Sequence, residues 1–309
     1  MSNFSQYSLQ AFTEHTKAAL PFFEDMDKVW FKRGGEASIQ ASMKEKVFRE
    51  KKYAMHPFLL LYKHQEVGLL WVELSTESYG NITLHIPEKQ HIEAAIYLLK
   101  QKGFFKRKMM EVVQIHDHSH YRDACFKQEL IPNIRQRMCL WLNSIDYLDE
   151  DPMPIDYYAM DKNCLEWSGE LSARAHVISR DYDQYDEMKV PEKRIALEKA
   201  VWDGLYGNII EEASIMIYFQ DKPVGYCYLV EVESWGFKRV PWIFDICIDP
   251  AFHGQGFGRA LSKKIINILL DMDYEIMGLA ATKTNRYAIK LYEQIGFQHV
   301  DNFYEFFEA

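Results

Sequence analysis

Three things are scarce in this 309-residue chain: paired cysteines, long apolar runs and basic charge. The five cysteines (Cys125, Cys139, Cys164, Cys227 and Cys247) form no Cys-x-x-Cys pair and are odd in number. A disulfide framework or a cysteine zinc site is not expected from such spacing. No apolar run approaches the ~20 residues that a membrane-spanning helix needs. The first residues, Met-Ser-Asn-Phe-Ser-Gln, lack the basic-then-apolar pattern of a signal peptide. The expectation is a cytoplasmic protein without a membrane partner. Lys and Arg number 36 against 45 Asp and Glu, a net charge of −9. Nucleic acid is therefore not an expected partner, because binding it depends on clustered basic side chains.

What is present is enough for two ordinary domains, with 48% hydrophobic and 26% charged residues. Acid gathers between residues 146 and 187, with 12 Asp or Glu against three Lys or Arg. Such a run reads either as a solvated linker and helix face or as a field that attracts a cationic substrate. The polar, turn-rich stretch Asp149-Glu150-Asp151-Pro152-Met153-Pro154 suggests a boundary, giving domains at 1–150 and 151–309. In His116-Asp117-His118-Ser119-His120 the histidines alternate and would share one strand face. With no carboxylate or cysteine at ligand spacing around them, no metal site is expected.

The most specific segment lies at 248–261. Ile248-Asp249-Pro250 ends an apolar strand pattern, Gly254, Gly256 and Gly258 alternate, and an amphipathic helix pattern follows from Arg259. Glycines permit positive φ and close ligand approach, and a helix start offers free N–H groups and a positive dipole end. The combination is a cradle for phosphate. The spacing is not the G-x-G-x-x-G of dinucleotide folds, nor does Gly-Lys-Ser/Thr follow as in a P-loop.

A second segment reads Asn285-x-x-Ala288-x-x-x-Tyr292-x-x-x-Gly296-Phe297. Together, in this order, the two motifs resemble those of the GNAT superfamily of acyl-CoA-dependent N-acyltransferases. One position departs: His253 stands where the family usually has Arg or Gln. The resemblance implies an α/β fold, a mixed central sheet flanked by helices, in the C-terminal half. Predicted helices fall at 165–179, 191–206, 258–271 and 286–295, and strands at 213–220, 224–233, 240–248 and 275–282, with a strand-rich end at 297–308.

The first half resembles a smaller, degenerate copy. A strand, turn, strand pattern at 59–72, with Gly68, matches that at 215–230, with Gly225. Residues 95–104 also resemble 288–297, yet Gly68 to Gly103 is 35 residues while Gly225 to Gly296 is 71. On that alignment the first copy lacks the glycine-loop unit and could not bind CoA in the family's way.

The resemblance implies that acetyl-CoA is the co-substrate and lies between two splayed parallel strands. The backbone at Ile246, Cys247 and Ile248 would hold its pantetheine arm. The loop residues His253, Gly254, Gln255, Gly256, Phe257, Gly258 and Arg259 would hold its pyrophosphate, and Asn285 and Ala288 would lie at the same ligand. Tyr292 is the candidate acid for the departing thiolate, since a phenol pKa near ~10 suits that proton transfer. Asp245, a charge inside the apolar run Trp242-Ile243-Phe244-Asp245-Ile246-Cys247-Ile248, is the candidate base. Glu231 and Glu233 are weaker candidates on the neighbouring strand. The expected activity is acetyl transfer to a primary amine of a small molecule or peptide, cationic in solution. The rival expectation is a module that binds acyl-CoA without turnover.

Overall fold

The computed structural model describes residues 4–32, 38, 41, 45, 48, 54–116, 120–177 and 185–308. Two units separate: Met1–Asn133 with Tyr304–Ala309, and Ile134–Phe303. The chain therefore divides at 133/134, upstream of the acidic stretch near 150, and its last residues return to the first unit. Residues 148–154 belong to the second unit instead of forming a boundary.

The N-terminal unit is built by period-two apolar patterning. Its elements are β1 (Tyr7–Ala11), α1 (Leu20–Lys32), β2 (Ala54–Tyr62), β3 (Gln65–Leu74), β4 (Tyr79–His85), α2 (Ile92–Gln101), β5 (Met109–Gln114) and α3 (His120–Lys127). The strand order is β1-β2-β3-β4-β5. β2 and β3 join through Lys63 and His64, both at positive φ (49° and 67°), the conformation that matches the twist of a tight hairpin. Gly68 lies inside β3, where a Cβ would come within 2.9 Å of Ile86 Cγ1.

The C-terminal unit receives most of β6 (Ile131–Trp141), then β7 (Ile155–Ala159), α4 (Leu165–His176), α5 (Asp186–Lys189), α6 (Pro191–Trp202) and β8 (Asn208–Ile209). There follow β9 (Ile215–Phe219), β10 (Lys222–Ser234), β11 (Phe237–Ile248), α7 (Phe257–Asp271), β12 (Ile276–Thr282), α8 (Arg286–Ile295) and β13 (Gln298–Phe307). Its sheet order is β6-β12-β11-β10-β9-β7, with β8 on β10. One face packs on α7 and α8 through Leu261, Ile265, Leu269, Ile243 and Tyr292. The other packs on α4 and α6 through Leu165, Leu171, Val201, Tyr226 and Tyr228. Gly169 lets those two helices meet, since a Cβ there would fall 3.2 Å from the Ile195 backbone. The strand-rich end is one strand, β13, and the place beside β12 is taken by β6 in antiparallel register.

The repeat is real but aligns differently from the sequence pattern. Gln220 and Asp221, also at positive φ, turn β9 into β10, and Gly225 stands in β10 as Gly68 stands in β3. α2, however, connects the parallel strands β4 and β5, just as α7 connects the parallel strands β11 and β12. Residues 95–104 are thus the counterpart of α7 and not of 288–297. Short apolar helices ending in Gly-Phe look alike wherever they sit. No unit is deleted; the helix is entered through Ile86-Pro87-Glu88-Lys89-Gln90-His91, without glycine. No helix among the described residues is long and apolar enough to cross a membrane.

Candidate active site

The two parallel strand pairs differ in a way that matters. In the first unit β4 and β5 pair at six consecutive positions, Tyr79–Leu84 with Met109–Gln114. In the second, β11 and β12 pair only at Trp242–Gly278 and Ile243–Leu279. Gly278 permits that crossing, since a Cβ there would stand 2.6 Å from the Trp242 ring. Beyond it β11 continues to Ile248 along β10 alone. A strand in a ladder on one side only presents its other N–H and C=O groups to a ligand.

A β-bulge marks the point of divergence. Tyr228 opposes Asp245 while Leu229 opposes Ile243, so Phe244 is the extra residue. It turns consecutive side chains to one face. Phe244 stacks on Tyr228 with ring centres 5.6 Å apart, and Asp245 accepts from Tyr226 Oη at 2.6 Å on that same face. Past the bulge alternation resumes as expected. Cys247 joins Asp245's side, and Ile246 and Ile248 pack toward the core under α7.

Asp245 is buried in a polar cluster that the sequence reading missed. Arg194 Nη2 donates to its Oδ2, as do Tyr226 and Ser172, the latter at 3.2 Å. His176 Nε2 stands 3.9 Å from its Oδ1. Arg194 also donates from Nε to Glu198 at 3.0 Å, and Ser168 donates to Glu198. Burial alone would raise the Asp245 pKa, but Arg194, His176 and the two hydroxyls outweigh it and hold it below the ordinary value. A carboxylate so occupied is a poor proton acceptor. The signal available in the sequence was Arg194 with Glu198, spaced i, i+4 on a helix face that should otherwise be apolar.

The loop after β11 is a braced turn. Asp249 accepts from Ala251 N at 3.0 Å, His253 Nε2 donates to Ile248 O at 2.7 Å, and Gln255 Nε2 donates to Ala251 O at 3.0 Å. The side chains of His253 and Gln255 thus hold the loop itself. Gly254 and Gly256 lie at φ 73° and 94°. Nothing stands within 4 Å of a Cβ built on Gly254, whereas one on Gly256 would meet Met153 Sδ at 3.6 Å. The first helical bond runs from Ala260 N to Gly256 O, so the amides of Phe257, Gly258 and Arg259 have no acceptor within α7.

The acid of the 149–151 segment lies on the bases of α7. Arg259 Nε and Lys263 Nζ both stand 3.0 Å from Asp151, and Lys264 Nζ is 2.8 Å from Glu150. This part of the acidic run is internally neutralised and supplies no free field for a cation. Residues 178–184 of the same run lie outside the described residues.

Asn285 caps α8, accepting from Ala288 N at 3.2 Å, so part of its motif role is structural. Tyr292 is buried beside Phe297, ring centres 5.6 Å apart. Burial first, then Cys227, Asp245 and Cys247, raise its pKa well above the ordinary phenol value, so it is protonated at neutral pH. Glu231 is engaged by Tyr274 Oη at 2.6 Å and Arg239 at 2.9 Å. Glu233 instead lines a cleft of about 250 Å³ walled by Tyr206, Trp242 and Phe244.

Known proteins resemble the chain in sequence and in fold. Residues 180–297 match the family described as Acetyltransferase (GNAT) family. A thialysine N-epsilon-acetyltransferase of Bos taurus is 24% identical over 119 residues, spanning 37% of this chain and 68% of the relative. A ribosomal protein bS18-alanine N-acetyltransferase of Haemophilus ducreyi is 33% identical over 58 residues, 19% of this chain and 40% of the relative. Among solved structures, a GCN5-related N-acetyltransferase from Sphaerobacter thermophilus has a TM-score of 0.61 at 12% identity, covering 97% of this chain and 95% of that one. A tandem GNAT protein from the clavulanic acid biosynthesis pathway has a TM-score of 0.55 at 9% identity, covering 97% of each chain. These identities speak to the fold, which is that of GNAT proteins.

Proposed function

We propose, from a chain that carries a GNAT domain at residues 180–297, that it is an N-acetyltransferase using acetyl-CoA. Its acceptor is a primary amine of a small molecule or peptide, attacking directly in a ternary complex. The observation that carries this reading is the opening of β11 from β12 beyond Ile243, with a glycine turn and a helix start at its end.

In this reading the free backbone edge of Ile246, Cys247 and Ile248 holds the pantetheine arm. The loop amides, those of Phe257, Gly258 and Arg259 among them, hold the pyrophosphate, and the open side of Gly254 gives it room. Asn285 and Ala288 border the same ligand at the start of α8. The thioester supplies an activated acyl carbon, and a backbone N–H at the bulge is placed to stabilise the oxyanion. Tyr292, kept protonated, donates its proton to the departing thiolate. Cys247 is unsuited to a covalent role, because burial pushes its thiol pKa up and leaves little thiolate.

The acceptor fits the cleft beside the bulge. Its aromatic walls suit an ammonium group through cation–π attraction, and Glu233 is the carboxylate placed to orient the amine and take its proton. Asp245 acts on the reaction only by fixing Tyr226 and Arg194, which in turn bonds Tyr228. A turnover screen over polyamines, aminoglycosides, amino acids and peptides, reading free thiol and acetylated product, tests the proposal. Cationic amines should be acetylated with a KM that rises with salt, as exposed attraction is screened over about 8–10 Å. Acetyl-CoA binding with no acetylated product from any amine would favour the non-catalytic binding module.

A further inference from the structure

The N-terminal unit holds a cluster that the proposed reaction does not use. Asp25 of α1, His85 at the end of β4 and His116 just after β5 converge at the carboxyl ends of two parallel strands, where α/β folds place ligands. Asp25 Oδ2 lies 3.2 Å from His85 Nε2 and 3.2 Å from His116 Nε2. The two rings stack with centres 4.7 Å apart, and the three ligand atoms all lie within 4.8 Å of one another.

His85 is fully buried. Its Nε2 faces the Asp25 carboxylate, and its Nδ1 has no hydrogen-bond partner. A buried ring left this way costs free energy unless something else occupies its lone pair. The spacing also has a meaning: ligands at 2.0–2.1 Å from a tetrahedral ion stand about 3.3 Å apart.

The position is the counterpart of the active-site position in the second unit. Leu69 follows Gly68 and pairs with His85; Tyr226 follows Gly225 and pairs with Cys247. His85 therefore holds the place of Cys247, and Thr83, opposite Trp71, holds the place of Asp245. In the second unit that place carries His176, Asp245 and Cys247, but Arg194 is bonded to the carboxylate and its charge opposes a cation. No such guanidinium bonds Asp25 among the described residues.

We propose that Asp25, His85 and His116 bind a divalent first-row transition ion, with zinc as the probe, through two imidazoles and one carboxylate. Imidazole suits such ions. Three protein ligands leave a further position open on the side of Asp25, whose side chain is 42% exposed. The ion ties α1 to the ends of β4 and β5, in a unit whose closed strand pair gives no room for pantetheine.

The test is zinc binding to the full chain. Elemental analysis after gel filtration should find one zinc per chain, and zinc should raise Tm. Asp25→Ala and His116→Ala should each weaken binding by about 100-fold or more, beyond the loss typical of an outer-shell partner. Cys247→Ala should leave the stoichiometry unchanged. X-ray absorption of the zinc-loaded wild type, which needs no variant, should show imidazole and oxygen ligands. Failure of the wild type to retain zinc, wild-type zinc affinity in either the Asp25 or the His116 variant, or sulfur among the ligands would each overturn the proposal.

Discussion

Arg194 of α6 and Asp245 of β11 form an ion pair inside the C-terminal unit, both side chains almost wholly removed from water. Breaking such a pair leaves an uncompensated buried charge, which costs about 3–5 kcal/mol. Asp245→Asn and Arg194→Met should each lower the urea midpoint accordingly, and the double variant should lose less than the two losses combined. The pH signs are opposite for the two carboxylates of the cluster. Asp245 is held below its unfolded value, so its stabilisation is full above pH ~4 and fades as pH falls through the folded pKa. Burial raises the Glu198 pKa in spite of Arg194, so its contribution is present at low pH and fades as pH rises through the folded pKa. Asp245→Asn should therefore narrow the gap to wild type on acidification. A gap that widens on acidification would contradict the assignment.

Tyr292→Phe tests the proposed acid. The hydroxyl matters when the thiolate forms, so turnover should fall by roughly 10²–10⁴-fold while acetyl-CoA affinity stays nearly unchanged. Its ring packs in the core against Phe297, and Phe preserves that packing. Wild-type turnover in this variant would leave Tyr292 as a core residue only.

Asp151 engages Arg259 and Lys263, which the proposed pyrophosphate would also attract. Replacing it by Asn should free both bases toward the pyrophosphate cradle and tighten acetyl-CoA binding. Arg259 is half exposed, and a surface pair is worth about 0–1 kcal/mol, so the gain should be at most about fivefold. Calorimetry on the full chain reads it directly; a weaker affinity would show that Asp151 supports the loop instead of occupying its bases.

Gly256 sits at φ 94° where α7 begins, a conformation that a β-branched residue does not adopt without strain. Gly256→Val should weaken CoA binding at least tenfold, or ~1.4 kcal/mol. Equal affinity in the variant would place the pyrophosphate elsewhere.

The two motif segments were legible in the sequence because glycine and asparagine there answer local backbone demands: positive φ at Gly254, Gly256 and Gly296, and a helix cap at Asn285. The strands and helices from 215 to 295 followed from periodicity for the same local reason. What was hidden is non-local. The ring of polar partners on Asp245 comes from α4, α6 and β10, and no spacing rule relates Ser172, Arg194 and Tyr226 to it. Asp25, His85 and His116 are likewise far apart in the chain, so the histidine run at 116–120 gave no sign of its carboxylate. The bulge at Phe244 depends on register with β10, which alternation alone does not reveal. The division at 133/134 was missed because the chain crosses between the units within a strand, β6, and not at a polar linker.

In the proposed function, acetyl-CoA occupies the opened strand pair of the second unit and not the closed pair of the first. Hydrogen–deuterium exchange of the full chain, with and without acetyl-CoA, tests it directly. Slowed exchange at 244–259 and 285–292, with no change at 79–91 and 109–114, is the predicted result. Protection confined to the N-terminal segments, or none in either unit at saturating acetyl-CoA, would contradict the account.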